Sequence, residues 1–249
     1  MATRFHIGAK DLRGTVEAYA KRFDLLEVPL PTSAKPKHGP TAATLRKWRK
    51  AVPPHFEFVV VLGPSVAKLK ASAELETELA TALEAITLLQ CRMVLLPTPA
   101  EVTPTQLTRD RIVRLLDRLP RDVTQVAWEP RGVWEVEDAA VWATKWGISL
   151  VVDPARDPVP VGPIAYGRLR ALGEARSFGP AALERVTRAI GERREAYVIL
   201  DSPTALAECK KLRTLAQTRG AGAKAVGGKG RVIRPRNPTT LKVRDDEQE

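Results

Sequence analysis

Cysteine, histidine and aromatic residues are scarce in this chain of 249 residues. Its two cysteines, Cys91 and Cys209, are isolated, and such a pair forms neither a disulfide framework nor a zinc site. The three histidines, His6, His38 and His55, are far apart and have no metal-binding spacing, which argues against a multi-metal site. We therefore predict no metal site, and we expect a reducing cytoplasm as the compartment.

Long apolar runs and nucleotide-binding motifs are also missing. No stretch of about 18 apolar residues occurs, so no membrane span is expected. The opening residues, MATRFHIGAKD, carry no long apolar segment after their charge and do not indicate a secretory signal. Because neither a G-x-G-x-x-G pattern, a Walker sequence nor a G-x-S-x-G elbow is found, the sequence identifies no cofactor and no serine nucleophile.

Positive charge is in surplus, with a formal net charge of +11. Such a surplus is typical of proteins that bind nucleic acid or small anions. The charge is spread along the chain rather than clustered, which favours solvated arginines on helix faces. With 44% hydrophobic and 28% charged residues, the composition is that of a soluble globular protein.

Short apolar runs alternate with amphipathic helical patterns over most of the chain. The helical patterns cover residues 14–23, 41–52, 72–90, 105–120, 135–147, 179–194 and 204–220. The apolar runs predict eight strands, at residues 4–9, 25–30, 56–63, 92–98, 124–130, 148–154, 163–172 and 196–202.

The predicted strands are almost continuously apolar, as a parallel sheet covered on both faces requires. Eight β/α units over residues 1–220 fit a TIM barrel. The segment ARDPVPVG between the sixth and seventh strands is too short for a standard helix, so one unit should be abbreviated. A doubly wound open sheet is the competing fold.

The character of the chain changes at Ala221. Residues 221–249 have no aromatic residue and no long apolar period, and we predict a disordered basic tail. The tail would either touch nucleic acid or serve only to solubilise the protein.

Charged and polar residues recur where the predicted strands end. In a parallel barrel the carboxyl ends of the strands form one mouth, where ligands bind. The residues predicted to face this mouth are Glu27, Glu129, Arg131, Trp134, Asp153, Tyr166, Arg168 and Arg170. Because side chains alternate along a strand, Glu129 and Arg131 are expected to point the same way. Arginines there would suit a phosphate or carboxylate; the other interpretation is a structural Glu–Arg network that closes the barrel.

Several stretches resemble the domain of unknown function 72 (YecE-like) family. They include TAATLRKWRKAVPPHFEFVVVLGPSV, VAWEPRGVW, GISLVVDP and YGRLRAL, within a resemblance that spans roughly residues 4–216. It implies a TIM barrel and no established activity. The residues that match the family's pattern are Glu27, Glu129, Arg131, Trp134, Asp153, Tyr166 and Arg168.

This sequence also departs from that family pattern. Leu62 stands where the family has a lysine, Leu96 replaces a glutamine, and Arg170 replaces a histidine.

Two hypotheses about function follow. In the first, Arg131, Arg168 and Arg170 hold a small phosphate or sugar-like ligand, with Trp134, Tyr166 and Asp153 around it.

Glu27 or Glu129 would then orient or deprotonate a substrate hydroxyl, as in a hydrolase or isomerase. In the second hypothesis, the barrel is a non-catalytic scaffold that meets nucleic acid or another protein.

Overall fold

The chain forms a ring of parallel strands surrounded by helices. The computed structural model describes residues 3–32, 34–35, 38–171, 176–191 and 193–226, with the backbone alone for 219–226. The strands are β1 (Arg4–Ala9), β2 (Leu25–Pro29), β3 (Glu57–Val61), β4 (Met93–Thr98), β5 (Gln125–Pro130), β6 (Ser149–Val152), β7 (Ile164–Arg170) and β8 (Glu195–Asp201). The helices are α1 (Val16–Ala20), α2 (Ala42–Ala51), α3 (Pro64–Ala67), α4 (Ala73–Leu89), α5 (Gln106–Leu116), α6 (Val136–Trp146), α7 (Pro180–Ile190) and α8 (Ala205–Val226).

The strand order is that of a barrel. Neighbouring strands pair in parallel in the order β1-β8-β7-β6-β5-β4-β3-β2. The predicted TIM barrel is confirmed, and so is its abbreviated unit, because the chain passes from β6 to β7 without a helix between them. The β3–β4 crossover carries two helices, α3 and α4, where the sequence predicted one.

β1 and β2 are the two end strands of this order, and Tyr19 joins them. Its hydroxyl accepts from the N–H of Ala9 at 2.8 Å and lies 2.9 Å from the carbonyl oxygen of Leu25. Gly8 allows the close approach, since a Cβ at this position would lie 2.3 Å from that same carbonyl oxygen. The barrel therefore closes where one buried phenol bridges two strands and one glycine leaves room for the backbone.

Alternation along the strands separates two apolar cores. Ile7, Leu26, Val60 and Trp128 point outward into the large core between strands and helices. A smaller core fills the inside of the barrel and consists of Leu25, Val59, Met93, Leu95, Ala127, Val151, Tyr166, Tyr197 and Ile199. Polar side chains are found above and below this inner layer, at the two ends of the barrel.

α8 is longer than predicted. The helix was expected to end at Gly220, but it runs on to Val226. Two glycines, Gly220 and Gly222, lie inside it, and each costs about 1 kcal/mol relative to alanine in a helix interior. Alanines at 221, 223 and 225 favour the helix and offset this cost. Residues 227–249, which hold most of the predicted tail, lie outside the described residues, and the tail remains a prediction.

None of the helices that the structure describes combines the length and the apolar character needed to cross a lipid bilayer.

The closure at Gly8 can be tested with Gly8→Ala. We expect it to lower the free energy of unfolding by roughly 3 kcal/mol, because the added methyl group meets backbone that cannot move alone. Gly179→Ala is the control, since its Cβ would meet nothing within 4 Å. As Gly179 is the N-cap of α7, that change should cost less than about 1 kcal/mol. Urea unfolding measures both, and equal losses would contradict this account of the closure.

Candidate functional site

Three strands bring charged side chains together inside the barrel, at its carboxyl end. β2 contributes Glu27, β5 contributes Glu129, and β7 contributes Tyr166, Arg168 and Arg170 at alternate positions. These five residues form one connected set, which we call the central network. All five were predicted from the sequence to face a common mouth.

Arg168 is the centre of the network. One of its terminal nitrogens donates to Glu129 at 2.9 Å, the other donates to Glu27, and its Nε lies 3.3 Å from Glu27. Burial alone would lower the pKa of the Arg168 guanidinium, but the negative charges of Glu27 and Glu129 outweigh burial and raise that pKa. Arg168 is therefore a fixed positive charge between two buried carboxylates.

Tyr166 completes the environment of Glu27. Its hydroxyl donates to Glu27 Oε1 at 2.5 Å. Burial, and then the negative charge of Glu27, raises the pKa of Tyr166, so the phenol stays protonated and remains a donor. Glu27 is only 6% exposed and accepts from both Tyr166 and Arg168. It is a carboxylate enclosed by the protein rather than one open to a substrate.

Glu129 has a second arginine partner, Arg170, which is more exposed to solvent than Arg168. Its Oε2 accepts from Arg168 and its Oε1 accepts from Arg170. The Arg170 side chain is 48% exposed, whereas that of Arg168 is 18% exposed. Arg170 is thus the part of the network that a dissolved molecule reaches most easily.

The network is electrically balanced. Two carboxylates face two guanidinium groups, so their formal charges cancel. Breaking such a buried set by removing one partner leaves an unpaired charge, which costs about 3–5 kcal/mol. The donors and acceptors are also well matched, since both oxygens of each carboxylate accept a hydrogen bond. The carboxylates of the network therefore need no ligand to satisfy their oxygens.

Asp153 follows β6 and has partners of its own. Its carboxylate accepts from the backbone N–H of Ala155 at 3.0 Å and lies 3.6 Å from the Arg156 guanidinium. Burial raises the pKa of Asp153 against these favourable contacts. Asp153 therefore caps the turn after β6, and a hydrogen bond with the backbone of Arg170 links it to the central network.

Arg131 does not join the network, contrary to the expectation that it would share the direction of Glu129. β5 ends at Pro130, and Gly132 then turns the chain with a φ of +82°. Strand alternation stops at the proline, so it no longer governs the next side chain. Arg131 is exposed and lines a separate cavity of about 330 Å³ near the ends of β2, β3 and β4, together with Leu62 and Lys68.

Trp134 is also placed differently from the prediction of a mouth residue. It is buried, its indole N–H donates to the carbonyl of Val102 at 2.7 Å, and its ring packs edge-on against Trp128. Trp128 in turn contacts Trp146 of α6. Trp134 thus belongs to an aromatic cluster in the outer core, where its polar atom is satisfied by backbone.

A second charged cluster at the amino end of the barrel was missed from the sequence. Arg92, just before β4, donates to Glu57 and lies 3.5 Å from Glu195. Tyr197 donates to Glu195 at 3.2 Å and stacks on His6. The signal was present, since Glu57 and Glu195 begin their strands in phase with inward residues. In TIM barrels this end serves stability rather than catalysis.

His6 lies in this cluster as a buried histidine. Its Nε2 is 3.8 Å from Glu195, too far for a hydrogen bond, and it has no hydrogen-bond partner among the described residues. Burial lowers the pKa of His6 despite the nearby carboxylates of Glu57 and Glu195. Within the described residues, no three histidine, cysteine or acidic side chains are placed to hold a metal ion.

The role of Arg168 can be tested by Arg168→Met. It should lower the free energy of unfolding by about 3–5 kcal/mol, because Glu27 and Glu129 are left buried without their shared counter-charge. Adding Glu27→Gln to this variant should restore part of the loss by removing one unpaired carboxylate. Urea unfolding of both variants measures the effect.

Arg118→Met is the control, since Arg118 pairs with Glu76 on the surface, where a salt bridge contributes about 0–1 kcal/mol. Equal losses for Arg118→Met and Arg168→Met would show that the network contributes no more than a surface pair.

Comparison with known proteins places this barrel in a family. A DUF72 family protein from Enterococcus faecalis V583 is 17% identical, with a TM-score of 0.67 over 86% of this chain and 95% of that one. A xylose isomerase domain containing protein from Salmonella typhimurium LT2 is 17% identical, with a TM-score of 0.55 over 87% and 97%. An AP endonuclease, family 2, from Brucella melitensis is 13% identical, with a TM-score of 0.54 over 81% and 93%.

At these identities the likeness to solved structures shows the fold alone. No curated protein matches the chain. The family model for "Protein of unknown function DUF72" matches residues 5–231, which is nearly the whole chain. The protein therefore belongs to the DUF72 family.

Proposed function

We propose that this protein binds a small anionic or sugar-like molecule at the carboxyl-end mouth of its barrel, on a floor formed by the central network. The observation that supports the proposal is the exposed end of the network, where the half-exposed Arg170 shares Glu129 with the partly buried Arg168. A guanidinium has five N–H donors in a planar fork, and Arg170 uses one terminal nitrogen for Glu129.

The network suits such a ligand because it offers donors and acceptors side by side. Free N–H groups of Arg170 would donate to a phosphate, a carboxylate or a sugar oxygen. A ligand hydroxyl would donate to Glu129. Arg168 would hold Glu129 in place from below, because Arg168 is itself bound to Glu27, which also accepts from Tyr166. Pre-ordered side chains reduce the entropy lost on binding.

The same geometry favours binding over catalysis. Each oxygen of Glu129 accepts from an arginine, and Glu27 is enclosed by Tyr166 and Arg168. A substrate hydroxyl that gives up its proton to Glu129 would first have to displace Arg170. The proposed activity is therefore ligand recognition; a hydrolase or isomerase step would require Arg170 to move away from Glu129.

The xylose isomerase domain protein of similar fold is a reason to include sugars among the test ligands. Isothermal titration of the full chain with inorganic phosphate, glucose 6-phosphate, xylose and glucose tests the proposal. We expect Arg170→Gln to weaken the binding of the ligand that responds by about tenfold or more, because one charge-assisted contact is lost.

Two control variants accompany this test. Arg46→Gln removes an exposed arginine that faces Glu84 elsewhere on the surface, and it should leave binding unchanged. Arg131→Gln tests the sequence-based prediction that Arg131 holds the ligand. An effect on binding as large as that of Arg170→Gln would show that the ligand lies in the cavity near β2, β3 and β4. A wild-type chain that binds none of the four compounds would remove the basis of the proposal.

A scaffold without catalysis is the second candidate function, favoured by the balanced charges of the network. In that case the surplus of +11 would act at the outer surface, on nucleic acid or on another protein. DNA binding measured against salt separates this candidate from the first, since neutralised phosphates make binding fall steeply with ionic strength. We expect this salt dependence to be shallower after deletion of residues 227–249; binding that does not respond to salt would contradict the candidate.

A further inference from the structure

A second polar region lies at the same end of the molecule. It is a cavity of about 560 Å³ bounded by the ends of β1 and β8 and by residues of α1 and α8. We call it the β1/β8 cavity. Its charged lining residues are Lys10, Asp11, Arg13, Arg22, Arg176 and Asp201. None of the five residues of the central network lines it.

The β1/β8 cavity has a surplus of positive charge, unlike the network. Its four cations and two carboxylates give a formal charge of 4 − 2 = +2. Lys10 is paired with Asp201 at 2.8 Å. Arg13, Arg22 and Arg176 have no ion pair with any residue that the structure describes. Within the part of the chain that the structure describes, three guanidinium groups thus line one concave surface without an ion pair of their own.

The remaining walls of the cavity are largely apolar. Phe23, Leu200 and Leu206 line it, and so does Tyr19. The Tyr19 hydroxyl is already used in closing the barrel, so Tyr19 offers the cavity the face or edge of its ring. A cavity of this size is typical of sites for small organic ligands. The lining therefore suits a ligand with one strongly anionic group and a less polar body.

We infer that the β1/β8 cavity binds a phosphate monoester, with the phosphoryl group held by Arg13, Arg22 and Arg176. A phosphate monoester carries a charge of about −1.5 to −2 near neutral pH, which complements the +2 of the lining. Its non-bridging oxygens accept from guanidinium forks in bidentate pairs. A carboxylate, with one charge and two oxygens, would leave one arginine unused.

The inference goes beyond the proposed function, because it assigns a different set of residues and a defined ligand class. The proposed function and this inference can be confirmed or contradicted independently of each other. The test uses isothermal titration of the full chain with glycerol 3-phosphate, glucose 6-phosphate and adenosine 5′-monophosphate. Glycerol, glucose and adenosine serve as the matched neutral compounds.

The variant Arg13→Gln/Arg22→Gln should weaken binding by roughly tenfold for each arginine, or about 100-fold in total. Both side chains are exposed, so the fold should survive, and the thermal midpoint checks this. Arg111→Gln/Arg114→Gln on α5 removes the same charge away from the cavity and should leave binding intact.

Asp201→Asn should have the opposite effect on binding of the phosphate monoester. It removes a carboxylate from the lining and releases Lys10 from its ion pair. We expect several-fold tighter binding of the phosphate monoester. A merely structural role for Asp201 would weaken binding or leave it unchanged.

Binding of at least one monoester but not of its neutral parent, lost in the cavity double variant and kept in the α5 variant, supports the inference. Absence of binding for all three monoesters overturns it. Binding that survives the cavity double variant overturns it as well. If Arg170→Gln abolishes that binding while the cavity variant retains it, the phosphate lies on the central network, and the proposed function is supported instead.

Discussion

The barrel mouth depends on Arg168, which holds two carboxylates from opposite parts of the chain. Glu27 and Glu129 are both buried, and neither is tolerable there without a positive partner. Arg168 supplies that partner to both at once and thereby joins β2, β5 and β7 across the inside of the barrel. Tyr166 and Arg170 bind the same two carboxylates, so the polar groups of the central network are all connected through this one guanidinium.

The sequence could predict this network because few positions on the strands of a parallel barrel can hold a charged side chain. Glu27, Glu129 and Arg168 interrupt apolar strands close to their carboxyl ends, where the polypeptide leaves the core. Which of these side chains bind one another could not be predicted from the sequence. Tyr166 and Glu27, for example, are 139 positions apart and meet only once β1 and β2 close the ring.

The errors have physical causes too. Arg131 was assigned by strand alternation that Pro130 had already ended, and Trp134 was assigned to the mouth although its indole N–H had a backbone carbonyl within reach. Glu57 and Glu195 were not predicted, because they stand at the amino ends of β3 and β8, whereas ligands of parallel barrels bind at the carboxyl ends of the strands. The β1/β8 cavity escaped notice because Arg13 and Arg22 follow strand and helix ends in surface loops, where arginine carries no distinctive sequence signal.

The mouth has two regions that differ in formal charge and therefore in how readily they bind an anion. The central network has two positive and two negative groups in mutual contact, so an anion that approaches it meets competition from Glu27 and Glu129 for the same arginines. The β1/β8 cavity keeps three arginines without described ion pairs beside apolar walls, so an anion there breaks no described ion pair of these arginines. Asp201 lies between the two, opposite Arg170 in the β7–β8 register and bonded to Lys10 of the cavity. A molecule with both a phosphoryl group and hydroxyl groups would therefore find its anionic end favoured on the β1/β8 side and its neutral hydroxyls favoured over Glu129 and Arg170.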